Sequence, residues 1–299
     1  MNTALAIGTQ LPGRVVFDAP TVQDTSAIAD LAARCLLLEV ETWPKPGLVS
    51  PIDAGSHTDM DVDTFRRSAA AIRPYLDQLV EAGTQGSTMG RLRVIGLEAE
   101  RAMFAATAGI NTHRGAIFGL GLLCAAAGAK AAGLDDPASS LGAIVADRWS
   151  SKILDGPVLL RSHGGDACRL YGAAGARLEA AQGFPSVYEI GLPALCSGAS
   201  LAPGDTEAAR VQACFALIAE LEDTNLLYRG GRDGLEFAQR AARRFLDEGG
   251  VGQSNWRERA FAVHRSFTVR RLSPGGSADL LAMSLFVQAS NAEFPACRT

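Results

Sequence analysis

The sequence predicts an all-α protein folded as a single multi-helix domain, and three observations carry that expectation. Apolar residues fill 47% of the 299 positions but aromatics only 6%, so the core is one of Ala, Leu, Val and Ile. Alanine-rich stretches favour helix because Ala has no side-chain freedom to lose there. Apolar residues recur at steps of three and four, the period of one helix face, and no run of alternating apolar and polar residues persists to support a strand. No internal repeat, heptad seam or low-complexity linker divides the chain.

The elements follow in order. Residues 1–24, with Pro12, Gly13 and Pro20, read as a loose leader, which leaves 25–299 as the domain. A first helix starts near Thr25 or Ser26, with Ile28, Leu31, Ala32, Cys35 and Leu38 on one face. Pro44 and Pro46 end it, since each lacks an N–H and restricts the residue before it. Asp61 or Asp63 caps a helix running toward Val80, which Pro74 should kink or split. The next covers 87–107 and closes on Gly109 as a C′ glycine. Asn111 or Thr112 caps the most apolar helix, ending near 132. Weaker patterns occupy 138–154 and 168–182. Thr206 opens a strong one with Val211, Cys214, Phe215, Ile218 and Leu221 on one face, and further helices fit 231–247, 255–271 and 277–290.

Composition narrows the function classes. A net charge of −4 argues against a nucleic-acid coat or an anionic membrane surface, both of which want a basic face. The six cysteines form no CxxC pair, so neither a zinc framework nor a disulfide scaffold is indicated, and a reduced cytoplasm fits best. No basic-then-apolar leader marks a signal peptide. The apolar run 115–129 is short for a membrane span and rich in glycine, so a buried core helix is expected.

Five charged clusters sit at helix boundaries. The first is a stiff loop carrying Glu39, Glu41, Lys45, Gly47, His57, Asp59 and Asp61: a lysine for an anion and carboxylates for a cation, or else a capped turn with solvated charges. The second, Asn111-Thr112-His113-Arg114, opens a helix whose free N–H groups and positive dipole end suit phosphate. Two basic residues there oppose the dipole, which hints that an anion compensates. Arg177 and Glu179 form the third; two apart, they cannot pair on one helix face, so each needs its own partner. In the fourth, Glu222 and Asp223 end an apolar helix, where the negative dipole end disfavours them, before Asn225 and Arg229. A metal–triphosphate site would explain that charge. The fifth is Ser273-Pro274-Gly275-Gly276-Ser277-Ala278-Asp279, whose glycines permit close backbone approach to a ligand. Together these place Lys, Arg, His and carboxylates at the mouths of several helices, the layout of an anionic-ligand pocket.

The segments E-V-E-T-W-P-K-P-G-L-V, G-S-H-T-D-M-D, N-T-H-R-G-A-I-F-G-L-G-L-L, Y-G-A-A-G-A-R-L-E-A-A-Q-G-F-P-S-V, E-D-T-N-L-L-Y-R-G-G and L-S-P-G-G-S-A-D-L-L-A resemble the triphosphoribosyl-dephospho-CoA synthase family in order and spacing from about residue 30 to 290. Trp43 and Ser50 look more like its malonate decarboxylase branch than its citrate lyase branch. The resemblance implies an all-helical, Mg²⁺-using cytoplasmic enzyme. It would join ATP to 3′-dephospho-CoA, release adenine, and pass the prosthetic-group precursor to a holo-acyl-carrier-protein synthase, without nucleic acid or membrane; a homodimer is compatible with it. Tyr228 departs from the family, where a histidine is expected.

Carried onto this chain, the resemblance implies a triphosphate clamp of Lys45, Arg114 and Arg229. Mg²⁺ would sit on Asp59 or Asp223, with Glu39 and Asp279 as further metal candidates. The base for the attacking 2′-hydroxyl is Asp59 or His57, and His113 is the candidate acid for the leaving adenine. Gly47, Asn111, Thr112, Arg177, Glu179, Asn225, Ser273, Gly275, Gly276 and Ser277 are the remaining substrate-contact candidates, the two glycines for the dephospho-CoA diphosphate. Two other readings compete: a Mg²⁺-dependent hydrolase of an ADP-ribose-like bond, and a non-catalytic module that binds a CoA derivative.

Overall fold

The computed structural model describes residues 25–156 and 163–290; the leader expected at 1–24 lies outside them. Within the described residues the chain forms twelve α-helices and no strand. They are α1 (Thr25–Glu41), α2 (Val62–Thr84), α3 (Met89–Ala106), α4 (Arg114–Ala131), α5 (Leu141–Leu154), α6 (His163–Tyr171), α7 (Gly175–Ala181), α8 (Leu192–Leu201), α9 (Thr206–Glu220), α10 (Thr224–Asp247), α11 (Trp256–Val269) and α12 (Gly275–Ser290).

The core helix is α4, which packs against α1, α2, α3, α5 and α12. By length and composition it could cross a membrane, but 72% of it is buried inside the protein, as its glycine content led us to expect. Its small residues let α2 approach to backbone contact: a Cβ on Gly83 would lie 2.0 Å from Ala125 O, and one on Gly128 2.1 Å from Val80 O. Cys35, Cys124 and Cys214 are buried thiols in this apolar interior, and burial pushes Cys35 and Cys214 up to about 12.

Several elements differ from expectation. Pro74 does not split α2, which runs on to Thr84 behind a capping box between Asp61 and Thr64. Gly109 is not the C′ residue of α3. Ala108 takes the left-handed conformation there (φ 54°), and the Gly109 N–H bonds Phe104 O at 2.8 Å, which completes a Schellman closure. The pattern over 168–182 divides into α6 and α7, and a π-turn (Val187–Gly191) with α8 fills a stretch where no helix is expected from sequence. The helix expected over 231–247 is present, but Gly231 (φ 63°) joins it through a kink to a preceding helical piece from Thr224 that was not expected, and the two together make α10.

Arg177 and Glu179 each have a separate partner, as their spacing requires. Arg177 donates to Ile153 O (3.0 Å) and Gly156 O (2.9 Å), closing the C-terminal end of α5. Glu179 accepts from Ser186 N at 2.8 Å. Arg177→Ala should therefore lower stability by about 1–3 kcal/mol, the range for stranding buried acceptors, while leaving the KM for nucleotide unchanged; denaturant titration and steady-state kinetics check both.

Candidate active site

Five chain segments bring their ends to one pole of the bundle: the C-terminus of α1 with its Pro-Lys-Pro-Gly loop, and the N-termini of α2, α4, α10 and α12. Helix N-termini carry free N–H groups and partial positive charge, so this pole attracts acceptors and anions.

The loop after α1 is tied down along its length. Gly47 has φ 68°, and a Cβ there would lie 2.0 Å from Leu272 O, so only glycine fits beneath the segment leading into α12. Ser56 Oγ donates to Leu272 O at 2.6 Å. His264, on α11, sets Nδ1 2.7 Å from Lys45 O and Nε2 3.1 Å from Asp53 Oδ1, stitching loop to helix. Sequence reading passed over His264 and Asp53 because more than two hundred residues separate them.

Lys45 is turned inward. Only 1% exposed, its ammonium donates to Glu39 O at 2.6 Å and pairs with the Glu39 carboxylate. Burial raises the Glu39 carboxyl, and the Lys45 charge pulls it back down.

The entry to α4 holds His113, 3% exposed, with Phe65 edge-on to its ring at 5.0 Å. His113 Nδ1 lies 2.6 Å from Ser68 Oγ, and Thr112 Oγ1 donates to the same Ser68 oxygen at 2.7 Å. His113 Nε2 is buried with no partner. Burial, with Lys45 nearby, lowers the imidazole to about 3. Arg114 turns outward to Glu100 on α3 (3.0 Å), and Asn111 Oδ1 accepts from Arg114 N at 3.3 Å. The anion that the basic residues here called for is supplied from within the fold: Asp279, one turn into α12, accepts the Ala116 N–H at the α4 N-terminus. A Cβ on Gly115 would lie 1.9 Å from Asp279 Oδ2, so glycine makes that approach possible. Asp279 keeps some accessible surface although protein surrounds it; burial first, then Glu39 and Asp223, raise its carboxyl well above the usual range.

Asp223 does not sit uncompensated at the end of α9. It caps α10, Oδ1 accepting from Asn225 N at 2.9 Å, while Oδ2 accepts from Ser277 N at 2.8 Å and Ser277 Oγ at 3.0 Å. Two positive helix ends meet on one carboxylate. Asn225 packs on Gly275, where a Cβ would come within 2.7 Å of its amide nitrogen, and Gly276 lies against the Asp223 carboxyl.

At the rim, His57 Nε2 lies 2.9 Å from the buried Ser273 Oγ, and its Nδ1 lies 3.2 Å from Arg229 Nη2 and 3.6 Å from Asp59 Oδ1. Burial and the Arg229 charge lower the His57 imidazole, against the pull of Asp59. The Asp59 side chain is 59% exposed. Arg229 also donates to Arg271 O at 3.1 Å, and Tyr228 is on the surface.

The pole thus gathers Glu39, Lys45, Gly47, His57, Asp59, Asn111 through Arg114, Asp223, Asn225, Arg229, Ser273 through Ser277 and Asp279. Arg177 and Glu179 lie elsewhere: Arg177 reaches Gly156, at a depression of about 750 Å³ shared with Gly86 and Arg93. Gly86 follows the C-terminus of α2, whereas Ser68 and the pole are at its N-terminus, and 23 helical residues span about 35 Å.

Ser68 is a further residue that sequence reading missed. It sits in a run of alanines, and only its contact with His113, 45 positions away, reveals it. The neutral burial of His113 has a measurable consequence. Unfolded, the imidazole takes up a proton near pH 6.5; folded, it resists until about 3. The unfolded chain therefore binds more protons across that window. The stabilisation from this site is complete above pH 6.5 and is lost as pH falls, by roughly 4–5 kcal/mol at the lower limit. Urea titrations between pH 7 and 4 should show a steeper fall for the native chain than for His113→Gln.

Comparison with known proteins defines the class: this all-helical chain is a transferase. It belongs to the family described as ATP:dephospho-CoA triphosphoribosyl transferase (CitG), whose model matches residues 25–297. A relative from Pseudomonas fluorescens (strain Pf0-1) is 39% identical, covering 89% of this chain and 92% of its own; it is named "Probable 2-(5''-triphosphoribosyl)-3'-dephosphocoenzyme-A synthase". Proteins of the same name from Vibrio cholerae (strain M66-2) and Albidiferax ferrireducens are 40% and 41% identical, each covering 87% of this chain and 87% and 89% of their own. No solved structure matches the chain.

Proposed function

We propose that this protein transfers the 5-triphosphoribosyl group of ATP to the 2′-hydroxyl of 3′-dephospho-CoA. The observation that carries the reading is the family match across the whole described fold. The convergence of Lys45, His113, Arg229 and three buried or half-buried carboxylates on helix ends inside that match supports it. The 2′-oxygen forms a bond to the ribose C1′ of ATP while the C1′–N9 bond breaks. Adenine leaves with the bonding pair and gains a proton, and the hydroxyl proton passes to a base. Incubation with ATP and dephospho-CoA should release free adenine and yield a CoA adduct heavier by one triphosphoribosyl group. ADP or free ribose 5-triphosphate would overturn the reading in favour of hydrolysis, and tight dephospho-CoA binding without adenine release would reduce the protein to a binding module.

The residues divide by position. Arg229, at the rim, is the cation placed to receive substrate phosphate. Asp59 is our choice of base over His57, because Arg229 and Ser273 already engage both ring nitrogens of His57, whereas Asp59 is open to a substrate hydroxyl. Ser273, Gly275 and Gly276 offer the close backbone approach that a diphosphate needs.

The donor set also fits a hard cation. Among the described residues no group of three or more His, Cys, Asp or Glu converges to hold a metal alone. Mg²⁺, however, takes only one or two carboxylates when phosphates supply the rest. Both Asp223 oxygens are committed to N–H and O–H donors, so Asp279 and the free oxygen of Glu39 are the residues that would hold it. There it would neutralise triphosphate charge. Trp43 and Ser50 favour the malonate decarboxylase branch, and with it a cytoplasmic holo-acyl-carrier-protein synthase as recipient of the product.

A further inference from the structure

The unpartnered nitrogen of His113 is the least explained atom at the pole. A buried polar group without a partner is costly, and native folds keep very few. This one sits on a ring shielded by Phe65 and held at Nδ1, with the Lys45 charge near. The hydroxyl pair decides what it is. Thr112 Oγ1 has no other hydrogen bond and donates to Ser68 Oγ. Ser68 Oγ, already accepting that hydrogen bond, has its own hydroxyl proton left to donate to His113 Nδ1. A neutral imidazole that accepts at Nδ1 carries its proton on Nε2.

We infer that Ser68, backed by Thr112, is a positioning residue that locks His113 as the Nε2–H tautomer, so that His113 donates a hydrogen bond to an anionic phosphate oxygen of the nucleotide. This rests on the nucleotide-transfer reading above and deepens it. An N–H with no acceptor, close to a cation, is complementary to an anionic oxygen and to nothing cationic. The same arrangement removes His113 from the role of proton donor to adenine: an imidazole that stays neutral at working pH has no acidic proton to give. His113 therefore acts in binding, and Lys45 adds field without needing to turn out of its pair with Glu39.

Two measurements test this. With four histidines in the chain, the ¹⁵N–¹H correlation spectrum of ¹⁵N-histidine-labelled protein can assign each tautomer. His113 is expected to show a protonated Nε2 and bare Nδ1 at neutral pH, and Ser68→Ala should convert it to a mixture; a protonated Nδ1 in the native chain would sink the proposal. Kinetics supply the second. His113→Gln keeps a neutral N–H donor at about the same reach, so it should retain kcat with a small rise in KM for ATP. His113→Ala should raise that KM roughly ten- to hundredfold, the range for a hydrogen bond to a charged group. Loss of kcat in the glutamine variant with KM unchanged would assign His113 to proton transfer instead. The spectrum needs no substrate, so if the native chain releases no adenine, the functional reading fails while the tautomer result still stands.

Discussion

Lys45→Met is expected to lower folding stability by about 3–5 kcal/mol, the range for breaking a buried ion pair from one side. The size follows from what remains. Lys45 is 1% exposed and its ammonium is the counter-ion of a buried carboxylate. Methionine fills a similar volume but leaves Glu39 charged, dry and close enough to Asp279 that the two already repel. Glu39 must then take up a proton or draw in water. The Glu39 backbone carbonyl also loses its 2.6 Å donor and keeps only the Thr42 N–H at 3.1 Å. Removing both charges together, as Glu39→Met with Lys45→Met, should recover much of the loss, because a matched apolar pair often replaces a buried ion pair at no net cost. Chemical denaturation of the three variants tests the cycle. It also separates two roles for Lys45. If Lys45 serves only to hold the loop, the double variant binds ATP as well as Glu39→Met alone does. If its field contributes to holding the triphosphate, the double variant binds ATP more weakly than Glu39→Met although the fold is restored.

What could be read from the sequence, and what could not, follows from the distance over which each signal acts. Helices α1, α9 and α11 announce themselves by local period, and Asp61 caps α2 where short-range chemistry says it should. The charged helix mouths were legible for the same reason: a lysine between prolines or a carboxylate beside a helix end is a local oddity. What compensates each oddity was not legible. The anion expected before α4 was assigned to substrate, yet Asp279 supplies it from 165 positions along the chain. The cation expected beside Asp223 turned out to be two helix N-termini, one of them on α12. Ser68 and His264 carry no local signal, since a serine among alanines and a histidine within a helix are ordinary until tertiary packing brings a partner. Local electrostatic mismatch thus marked segments that the fold gathers at one pole, while the identity of the compensating group depended on topology.

That compensation makes Asp223 the second position of large effect. Asp223→Ala should cost about 4 kcal/mol, because it removes a helix cap, worth about 0.5–2 kcal/mol, and strands further buried donors at about 1–3 kcal/mol each. Asn225 N, Leu226 N, Ser277 N and Ser277 Oγ all lose their acceptor at once. Asp223→Asn keeps one oxygen but turns an amide N–H toward one of the two helix ends, so about half that loss is expected. Activity should fall with stability, since Asp223 holds the start of α10, with Arg229, against the start of α12, with Ser273 and Asp279. The alternative role, a Mg²⁺ ligand, predicts the opposite partition: a fold of native stability in denaturant and an activity restored by excess Mg²⁺. With both oxygens engaged and the side chain 1% exposed, Asp223 acts as the clasp between two helices. Excess Mg²⁺ should therefore leave both the denaturation midpoint and the activity of Asp223→Ala where the substitution put them.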